Sequence, residues 1–335
     1  MFSFGRNKEI GVEIDQGIIR AVELHGNRTG EITLARNGSV ALHQEAVSQG
    51  VVRDLDEVEI ALSKLWEEND FSHQEIVLGV CTQGLFMRVI DFPIVPEDKL
   101  SEALHLQAGE HFPFPMEELI LDYEVLGESE DEDGNPAWRI LIVAIRREHL
   151  MPSMEALKGA DLNVRVVDAA SLAVMRLTDT ASNEAVVFCN IGVSLNSVLV
   201  ASQGQPAFAR ASRVALHSLV HQNDMSLQHT LNELSSKDMP EFDSASMQTW
   251  MQNLSSEVNS SLAYFSSNND GDIERLMLSG IGARLQGVAE HLRGAAGVTV
   301  DIIDPLEQLT QEKTHRLGPD FAVPVGLALR GLEEG

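Results

Sequence analysis

The sequence predicts an α/β fold built from two related halves. Residues 9–24, EIGVEIDQGIIRAVEL, contain a strand pattern, a polar turn at 15–17 and a second strand pattern. Residues 185–201, AVVFCNIGVSLNSVLVA, repeat this layout of strand, glycine-containing turn and strand. The chain has 335 residues, which is more than a single hydrophobic core normally serves. We therefore expect a duplicated fold that is divided into several domains or subdomains.

The first half continues with alternating helices and strands. Apolar residues between Leu55 and Asn69 recur at the i, i+3, i+4, i+7 spacing of an amphipathic helix. A second helix is expected to begin after Pro96 and to end at the FPFP sequence of residues 112–115, because proline ends helices. Strands are predicted over 75–80, 85–92, 119–125, 138–145 and 164–167, with a further helix over 148–158.

The second half has a different middle section. Residues 212–267 are rich in Ser, Gln and Asn, and their pattern predicts three helical pieces. A strand over 275–279 leads into the glycine-containing turn LSGIGARLQG at 278–287, after which another helix is expected. The chain is predicted to close with a strand over 298–303 and a helix over 324–332.

The charge balance excludes several classes of partner. The chain has 24 Lys and Arg against 51 Asp and Glu, so its formal net charge is −27. This excess argues against binding to nucleic acid or to an anionic lipid surface, because both need basic patches. Hydrophobic residues make up 44% of the chain, which is typical of a globular protein rather than a disordered acidic one. The acidic segment ESEDEDGN at 128–135 is interpreted as a solvated hairpin loop.

The sequence also lacks the signals of membrane insertion and of metal binding. It contains no run of about 18 apolar residues, and no apolar segment of a signal peptide follows its first residues. We expect no metal site at His149, His217, His221 and His229, because the sequence offers them no Cys or carboxylate partner at metal-site spacing. We therefore expect a cytoplasmic protein without direct membrane insertion and without a metal site formed by the chain alone.

Known phosphate-binding motifs are absent or incomplete. No GxxxxGK[ST] motif occurs, which excludes a P-loop nucleotide-binding site. The turn at 278–287 has the form GxGxxxxG, with Leu285 where a dinucleotide-binding fingerprint has its third glycine. Its spacing leaves two interpretations of Gly280 and Gly282: a structural strand-to-helix turn, or a turn that lets a nucleotide approach the backbone in another fold.

Together these segments resemble the actin-like ATPase superfamily. The two strand–turn–strand openings and the LSGIG turn look like its phosphate 1, phosphate 2 and adenosine segments. More narrowly, the chain resembles the type IV pilus assembly protein PilM family, whose members are related to the cell-division protein FtsA. The longest matching stretch is VIDFPIVPEDKLSEALHLQAGEHFPFPMEELILDYEVLG at 89–127. The other matching stretches follow the same order at 11–24, 49–69, 142–150, 166–177, 262–267 and 323–332.

The resemblance implies two actin-like, ribonuclease H-like lobes with a nucleotide cleft between them, and an inserted FtsA-type 1C, or SHS2-like, subdomain. The first lobe (1A) would comprise residues 1–37, 166–184 and 320–335. The insertion would comprise 38–165, and the second lobe (2A) 185–319 with a 2B insert at about 212–272. The resemblance also implies a scaffold of pilus or fimbrial assembly that self-associates into a ring. A PilN-like bitopic inner-membrane protein would hold it at the inner face of the membrane through its short cytoplasmic tail.

The resemblance assigns ten residues to nucleotide binding, if the site is retained: Glu13, Asp15, Gln16, Gly17, Arg20, Asn190, Gly192, Ser194, Gly280 and Gly282. ATP with Mg²⁺ would then be the cofactor, and otherwise none is expected.

Several of these positions depart from the family pattern. Glu13 stands where the family has Asp, Asn190 replaces a second Asp, and Asp15-Gln16-Gly17 replaces a Ser-rich turn. Asp15 places a negative charge where a phosphate would lie. Two like charges about 4 Å apart repel by several kcal/mol at an effective dielectric near 20. We expect no catalytic residues and no hydrolysis, and an active ATPase of the same fold is the alternative. The sequence leaves open whether Asp15 points into the cleft.

The FPFP sequence is the candidate partner site. Phe112, Pro113, Phe114 and Pro115 either close a helix as core residues or line a groove for a partner tail, which the resemblance places between the first lobe and the insertion. The acidic chain favours a tail that carries Lys or Arg.

Two further alternatives for the function of the protein are an FtsA-like cell-division tether and a platform protein of type II secretion. The acidic ending LALRGLEEG argues against the tether, which would carry a basic amphipathic helix.

Overall fold

The computed structural model describes residues 7–26, 31–131, 133–179, 185–236, 239–268, 273–307, 309 and 317–334. Parts of the predicted segments, including 1–6, 180–184 and 269–272, lie outside these residues. Within the described residues the chain forms two five-stranded sheets, one three-stranded sheet and a two-stranded hairpin.

The strands are β1 (Asn7–Asp15), β2 (Ile18–Gly26), β3 (Ile32–Ala41), β4 (Val47–Ser48), β5 (Val51–Val52), β6 (Glu75–Val80), β7 (Leu85–Pro93), β8 (Leu119–Glu130), β9 (Pro136–Arg146), β10 (Asn163–Ala169), β11 (Ala185–Ile191), β12 (Asn196–Ser202), β13 (Gln205–Ser212), β14 (Ile273–Ser279) and β15 (Thr299–Ile302). The helices are α1 (Leu55–Asn69), α2 (Glu97–Gln107), α3 (Arg147–Gly159), α4 (Ala170–Met175), α5 (Leu216–Gln222), α6 (Leu227–Ser236), α7 (Ser244–Asn268), α8 (Val288–Ala296) and α9 (Ala322–Glu334).

The two large sheets have the same topology, which confirms the predicted duplication. The first has the order β10-β6-β1-β2-β3, and the second, read from its other edge, β15-β14-β11-β12-β13. In each sheet an antiparallel hairpin, β1–β2 or β11–β12, occupies the centre, and two strands join it in parallel on one side. Because the halves share one topology, the turns of the two hairpins occupy equivalent positions.

Hydrophobic packing joins the two sheets into one body. Helices α4 and α9 lie between the sheets, and their buried residues share one core with Val22 and Leu24 of β2 and with Phe188 and Leu199 of β11 and β12. Helices α1 and α3 cover the outer face of the first sheet, and α5 to α8 cover the outer face of the second. The β strands of both hairpins are therefore buried on both faces, as their continuous apolar runs require.

Helix α1 has the bounds that the apolar spacing predicts. Asp54 caps its first turn by accepting a hydrogen bond from the Glu57 backbone N–H at 3.1 Å. Val58, Leu62 and Leu65 are buried on its inner face. The 212–267 region also forms the three predicted helices, α5 to α7.

The helix after Pro96 is shorter than predicted. It ends at Gln107 and continues as a 3₁₀ turn over Ala108–His111, so the prolines of FPFP follow an extended residue, Phe112, rather than a helical one. Residues 119–146 form the predicted hairpin of β8 and β9, and the acidic segment is its loop, of which Glu132 lies outside the described residues.

The sheet topology corrects the predicted boundaries of the insertion. The separate three-stranded sheet, with the order β7-β9-β8, begins at Leu85 and ends at Arg146, not at 38 and 165. Strand β6 pairs with β1, and β10 pairs with β6, so both belong to the first lobe, as does α1 packed against them. Strand β3 also continues to Ala41 beyond the predicted end of the first segment at 37. The prediction was too wide because strand and helix patterns alone do not show which sheet a strand joins.

Candidate functional site

Two hairpin turns face each other where the two large sheets meet. The first is the predicted turn Asp15-Gln16-Gly17 between β1 and β2, and the second joins β11 to β12 over residues 192–195. Gly17 has φ +78°, a left-handed conformation that favours glycine. The equivalent position of these turns in the duplicated fold brings side chains from the two halves of the chain together.

The carboxylate of Asp15 crosses to the second turn. Its Oδ2 accepts a hydrogen bond from the Val193 backbone N–H at 2.8 Å. Its Oδ1 accepts from the Ser194 hydroxyl at 2.7 Å and from the Ser194 backbone N–H at 3.2 Å. The Gln16 backbone N–H also donates to Oδ1 at 2.7 Å. The structure thus answers the question that the sequence left open: Asp15 points into the cleft and is bound there by the opposite lobe.

Gly192 makes room for this contact. A Cβ built at position 192 would overlap the Leu195 carbonyl oxygen and would lie 3.2 Å from Asp15 Oδ2. A side chain here would therefore disturb both the turn and the approach of the Asp15 carboxylate. Gly192, which the resemblance assigns to nucleotide binding, admits a carboxylate of the same chain.

Behind Asp15 lies a buried cluster of charged side chains. Arg20 lies opposite Glu13 in the hairpin, with 3.5 Å between Nη1 and Glu13 Oε2, and its Nε is 3.7 Å from Asp320 Oδ2. Arg284 binds the same Asp320 through Nε at 2.6 Å. Arg20 and Asp320 are each only 3% exposed. Within the described residues, Nε and Nη2 of Arg20 have no hydrogen-bond acceptor.

This environment changes the protonation of Glu13. Burial raises the pKa of the Glu13 carboxyl to about 8, and the negative charges of Asp15 and Asp320 act in the same direction. The positive charge of Arg20 opposes this rise and its hydrogen bond to Glu13 lowers the pKa, but burial has the larger effect. Glu13 is therefore substantially protonated at neutral pH.

Asn190, Gly280 and Gly282 form a neighbouring group. The Ser279 hydroxyl donates a hydrogen bond of 2.9 Å to Asn190 Oδ1, and both residues are buried. A Cβ at Gly280 would overlap the Ile191 carbonyl oxygen, and one at Gly282 would overlap the Ile191 side chain. Close packing against the end of β11 therefore accounts for both glycines, which fits the structural interpretation of this turn.

Sequence reasoning missed four participants in this site. Asp320 and Arg284 complete the charged cluster, Val193 contributes only a backbone N–H, and Ser279 binds Asn190. Asp320 follows Gly318 and Pro319 directly before α9, and such a Gly-Pro-Asp turn at a helix start is the signal that could have drawn attention to it. Backbone donors such as Val193 carry no residue-type signal.

The FPFP residues occupy different environments in the insertion. Phe112 is buried in the core of the three-stranded sheet, and its ring centroid lies 6.1 Å from that of Phe86. Phe114 is half-buried: its ring lies 5.6 Å from that of Phe86, and the Arg146 guanidinium covers it at 4.5 Å. Pro113 and Pro115 are exposed. Of the four predicted groove residues, Phe112 occupies a core position, whereas the other three reach the surface.

In the described part of the chain, no helix combines the length and the apolar character needed to cross a bilayer.

Comparisons with known proteins agree with this architecture. Residues 11–332 match the family of type IV pilus assembly protein PilM. The fold is similar to that of a chain in a PilM-PilN type IV pilus biogenesis complex, with a TM-score of 0.81, 22% identity, and 98% of this chain and 99% of that chain covered. It is also similar to the ethanolamine utilization protein EutJ from Carboxydothermus hydrogenoformans, with a TM-score of 0.56, 12% identity, and 98% and 91% of the chains covered. The predicted actin-like fold is confirmed, and the chain belongs to the type IV pilus assembly protein PilM family.

Proposed function

We propose that this protein is a non-enzymatic scaffold of type IV pilus assembly that binds the cytoplasmic tail of a PilN-like bitopic inner-membrane protein. Similarity to a chain of a PilM-PilN complex over 98% of this chain, insertion included, is the observation that supports this role. Binding to that tail would hold the protein at the inner face of the inner membrane. Self-association into a ring is part of the same proposal.

The cleft residues do not fit a complex of Mg²⁺ and ATP, which the fold family implies. Mg²⁺ is bound by carboxylates and waters in near-octahedral geometry. Asn190 carries no charge, and its oxygen already accepts the Ser279 hydroxyl. Glu13 is held by Arg20 and has a pKa of about 8, so it supplies little negative charge at neutral pH. Asp15 is bound to the turn that a phosphate would need. We infer that the cleft does not hydrolyse ATP.

Thermal unfolding with and without Mg-ATP tests the nucleotide part of the proposal. A ligand that binds only the folded state raises the melting temperature as its concentration exceeds its Kd. We expect no rise with Mg-ATP and no release of phosphate above the buffer rate. A rise of several degrees together with turnover would favour the alternative, an active ATPase of the same fold.

The junction of the insertion with the first lobe is the proposed place of the tail. Arg146, at the end of β9, covers Phe114 and binds Glu148 at 2.7 Å and Glu118 at 3.5 Å. Glu118 and Glu148 are exposed by 51% and 63% of their side chains. A half-buried aromatic ring flanked by exposed carboxylates suits an extended segment that carries apolar and basic side chains.

Fluorescence anisotropy with a synthetic tail peptide of a PilN-like protein tests this placement. Phe114→Ala should weaken binding about tenfold, because a buried aromatic contact contributes on the order of 1–2 kcal/mol. Tyr264→Ala, at an exposed aromatic of the second lobe, is the matched control and should bind like wild type. Affinity should also fall as salt rises, because the attraction to an acidic chain is screened. Unchanged affinity in Phe114→Ala would assign Phe114 to the core alone.

A further inference from the structure

The turn between β11 and β12 is an anion-binding site that is filled from within the chain. Three donors converge on one point: the backbone N–H groups of Val193 and Ser194 and the Ser194 hydroxyl. Successive backbone N–H groups that point to one side of a turn form a concave site for anions. Both carboxylate oxygens of Asp15, which lies 178 residues earlier than Val193 in the chain, occupy that site.

The hydrogen bonds engage both oxygens of the Asp15 carboxylate. Oδ1 accepts from Gln16 N–H, from Ser194 N–H and from the Ser194 hydroxyl, and Oδ2 accepts from Val193 N–H. A carboxylate offers about four lone-pair positions, two on each oxygen, so Oδ1 is fully used and Oδ2 keeps one position. Hydrogen bonds to a charged oxygen are stronger than neutral ones. Asp15 therefore fills the turn chemically as well as sterically.

A buried arginine and a cavity between the lobes lie near the first turn. Arg20, which is 3% exposed, keeps two donor nitrogens without an acceptor among the described residues. Beside the first turn, a cavity of about 710 Å³ opens between the lobes and is lined by Gly17, His43, Gln44 and the acidic Glu57 on one side and by residues 224–228 on the other.

The geometry points to Asp15 as a built-in anion that takes the place of a ligand phosphate and ties the two lobes together. The second turn retains the donors for a phosphate, and Asp15 keeps them closed. Shortening the side chain at position 15 should therefore create a phosphate site. This inference goes beyond the proposed scaffold role, which requires only that ATP is not hydrolysed.

Thermal unfolding in inorganic phosphate tests this inference with the full-length protein. Asp15→Ser and Asp15→Ala remove the carboxylate, and Asp243→Ser is the matched control. Asp243 also accepts a backbone N–H, from Ser246 at 2.9 Å, but at an exposed helix start within one lobe. Phosphate is compared with chloride at the same ionic strength. At saturating phosphate the melting temperatures of Asp15→Ser and Asp15→Ala should rise by about 1–3 °C, and those of wild type and Asp243→Ser should not change.

Two results would overturn the inference: folded Asp15→Ser and Asp15→Ala proteins that do not respond to phosphate, or a wild type that responds as strongly as they do. If neither variant folds, hydrogen exchange of the wild-type protein tests whether Asp15 engages the donors of the second turn. The amides of Val193 and Ser194 should then exchange slowly with and without phosphate, and rapid exchange would contradict their engagement by Asp15. Tail binding is measured separately, so a wild type that fails to bind the tail would refute the scaffold role and leave this inference standing.

Discussion

The two central hairpins have the same strand arrangement but carry different chemistry at their turns. In the first lobe the turn supplies a carboxylate, Asp15, and in the second it supplies the backbone and hydroxyl donors of Val193 and Ser194. Near the end of the first strand of each hairpin, Glu13 lies opposite the charged Arg20, whereas Asn190 lies opposite the uncharged Ser197. The duplicated fold thus places an anion and its receptor face to face.

This difference shows how a duplicated fold can join its two lobes through residues of its own chain. If both turns carried only donors, an external anion would be needed between them, because converging N–H groups without an acceptor are costly to bury. Each hydrogen bond to a charged group contributes about 1.5–3 kcal/mol when it replaces a poorer partner. Divergence of the two halves at Asp15 therefore supplies the acceptor within the chain itself.

The largest effect on the free energy of unfolding is expected from substitutions of the glycines in the two turns. Gly192→Ala should destabilise the protein by about 3 kcal/mol or more, because its Cβ would overlap the Leu195 backbone oxygen, which cannot move without disturbing the turn. Gly17→Ala should cost only about 1 kcal/mol. Its φ of +78° is strained for alanine, but its Cβ would lie 3.0 Å from the tip of the flexible Leu227 side chain. Urea unfolding measures the free energy of unfolding of both variants. Equal losses in Gly192→Ala and Gly17→Ala would show that the second turn is not more tightly packed than the first.

The next largest effect on stability is expected from the loss of a buried ion pair, which is compared with the loss of an exposed one. Asp320→Asn should cost about 3 kcal/mol, because Asp320 is 3% exposed and its loss leaves Arg20 and Arg284 with an uncompensated buried charge. Asp301→Asn is the matched control: Asp301 binds Arg275 at 3.0 Å in the second sheet, but both side chains are 44% exposed. Such a surface pair contributes less than about 1 kcal/mol. Similar losses of stability in the two variants would contradict a buried charged cluster around Asp320.

The sequence predicts most of the fold because strand and helix periodicity depends on local residues. Helix α1 and the β1–β2 and β11–β12 hairpins follow from such patterns, and the repeated hairpin predicts the duplication. The extent of the insertion does not follow, because β6 joins the first sheet through pairing with β1 and β10, which are distant in sequence.

The chemistry of the site is less predictable than the fold. The sequence identifies Asp15 as an unusual charge, but its direction depends on the docking of two lobes whose contacting residues are 178 positions apart. Residue type also gives no sign that the Val193 N–H is a donor, or that Gly280 and Gly282 are needed for packing against Ile191. Long-range contacts of this kind need the three-dimensional structure.

The titration of Glu13 provides the most specific test of the difference between the hairpins. The folded-state pKa of Glu13, about 8, lies above the ordinary glutamate pKa of 4.5, so between these pH values the folded state binds more protons than the unfolded state. The contribution of Glu13 to stability is therefore complete below pH 4.5 and declines as pH rises toward 8, by at most about 1.4 kcal/mol per pH unit.

Glu13→Gln should remove this decline, because glutamine keeps the shape of the protonated side chain and does not titrate. Denaturant unfolding of wild type and Glu13→Gln between pH 6 and 8 measures the difference. Asn190→Asp is the reciprocal variant: it introduces a buried carboxyl at the equivalent position of the second hairpin, without an opposing arginine, and should add a decline of its own. A wild-type profile parallel to that of Glu13→Gln would mean that Glu13 is ionised in the folded protein, and that Arg20 rather than burial sets its charge.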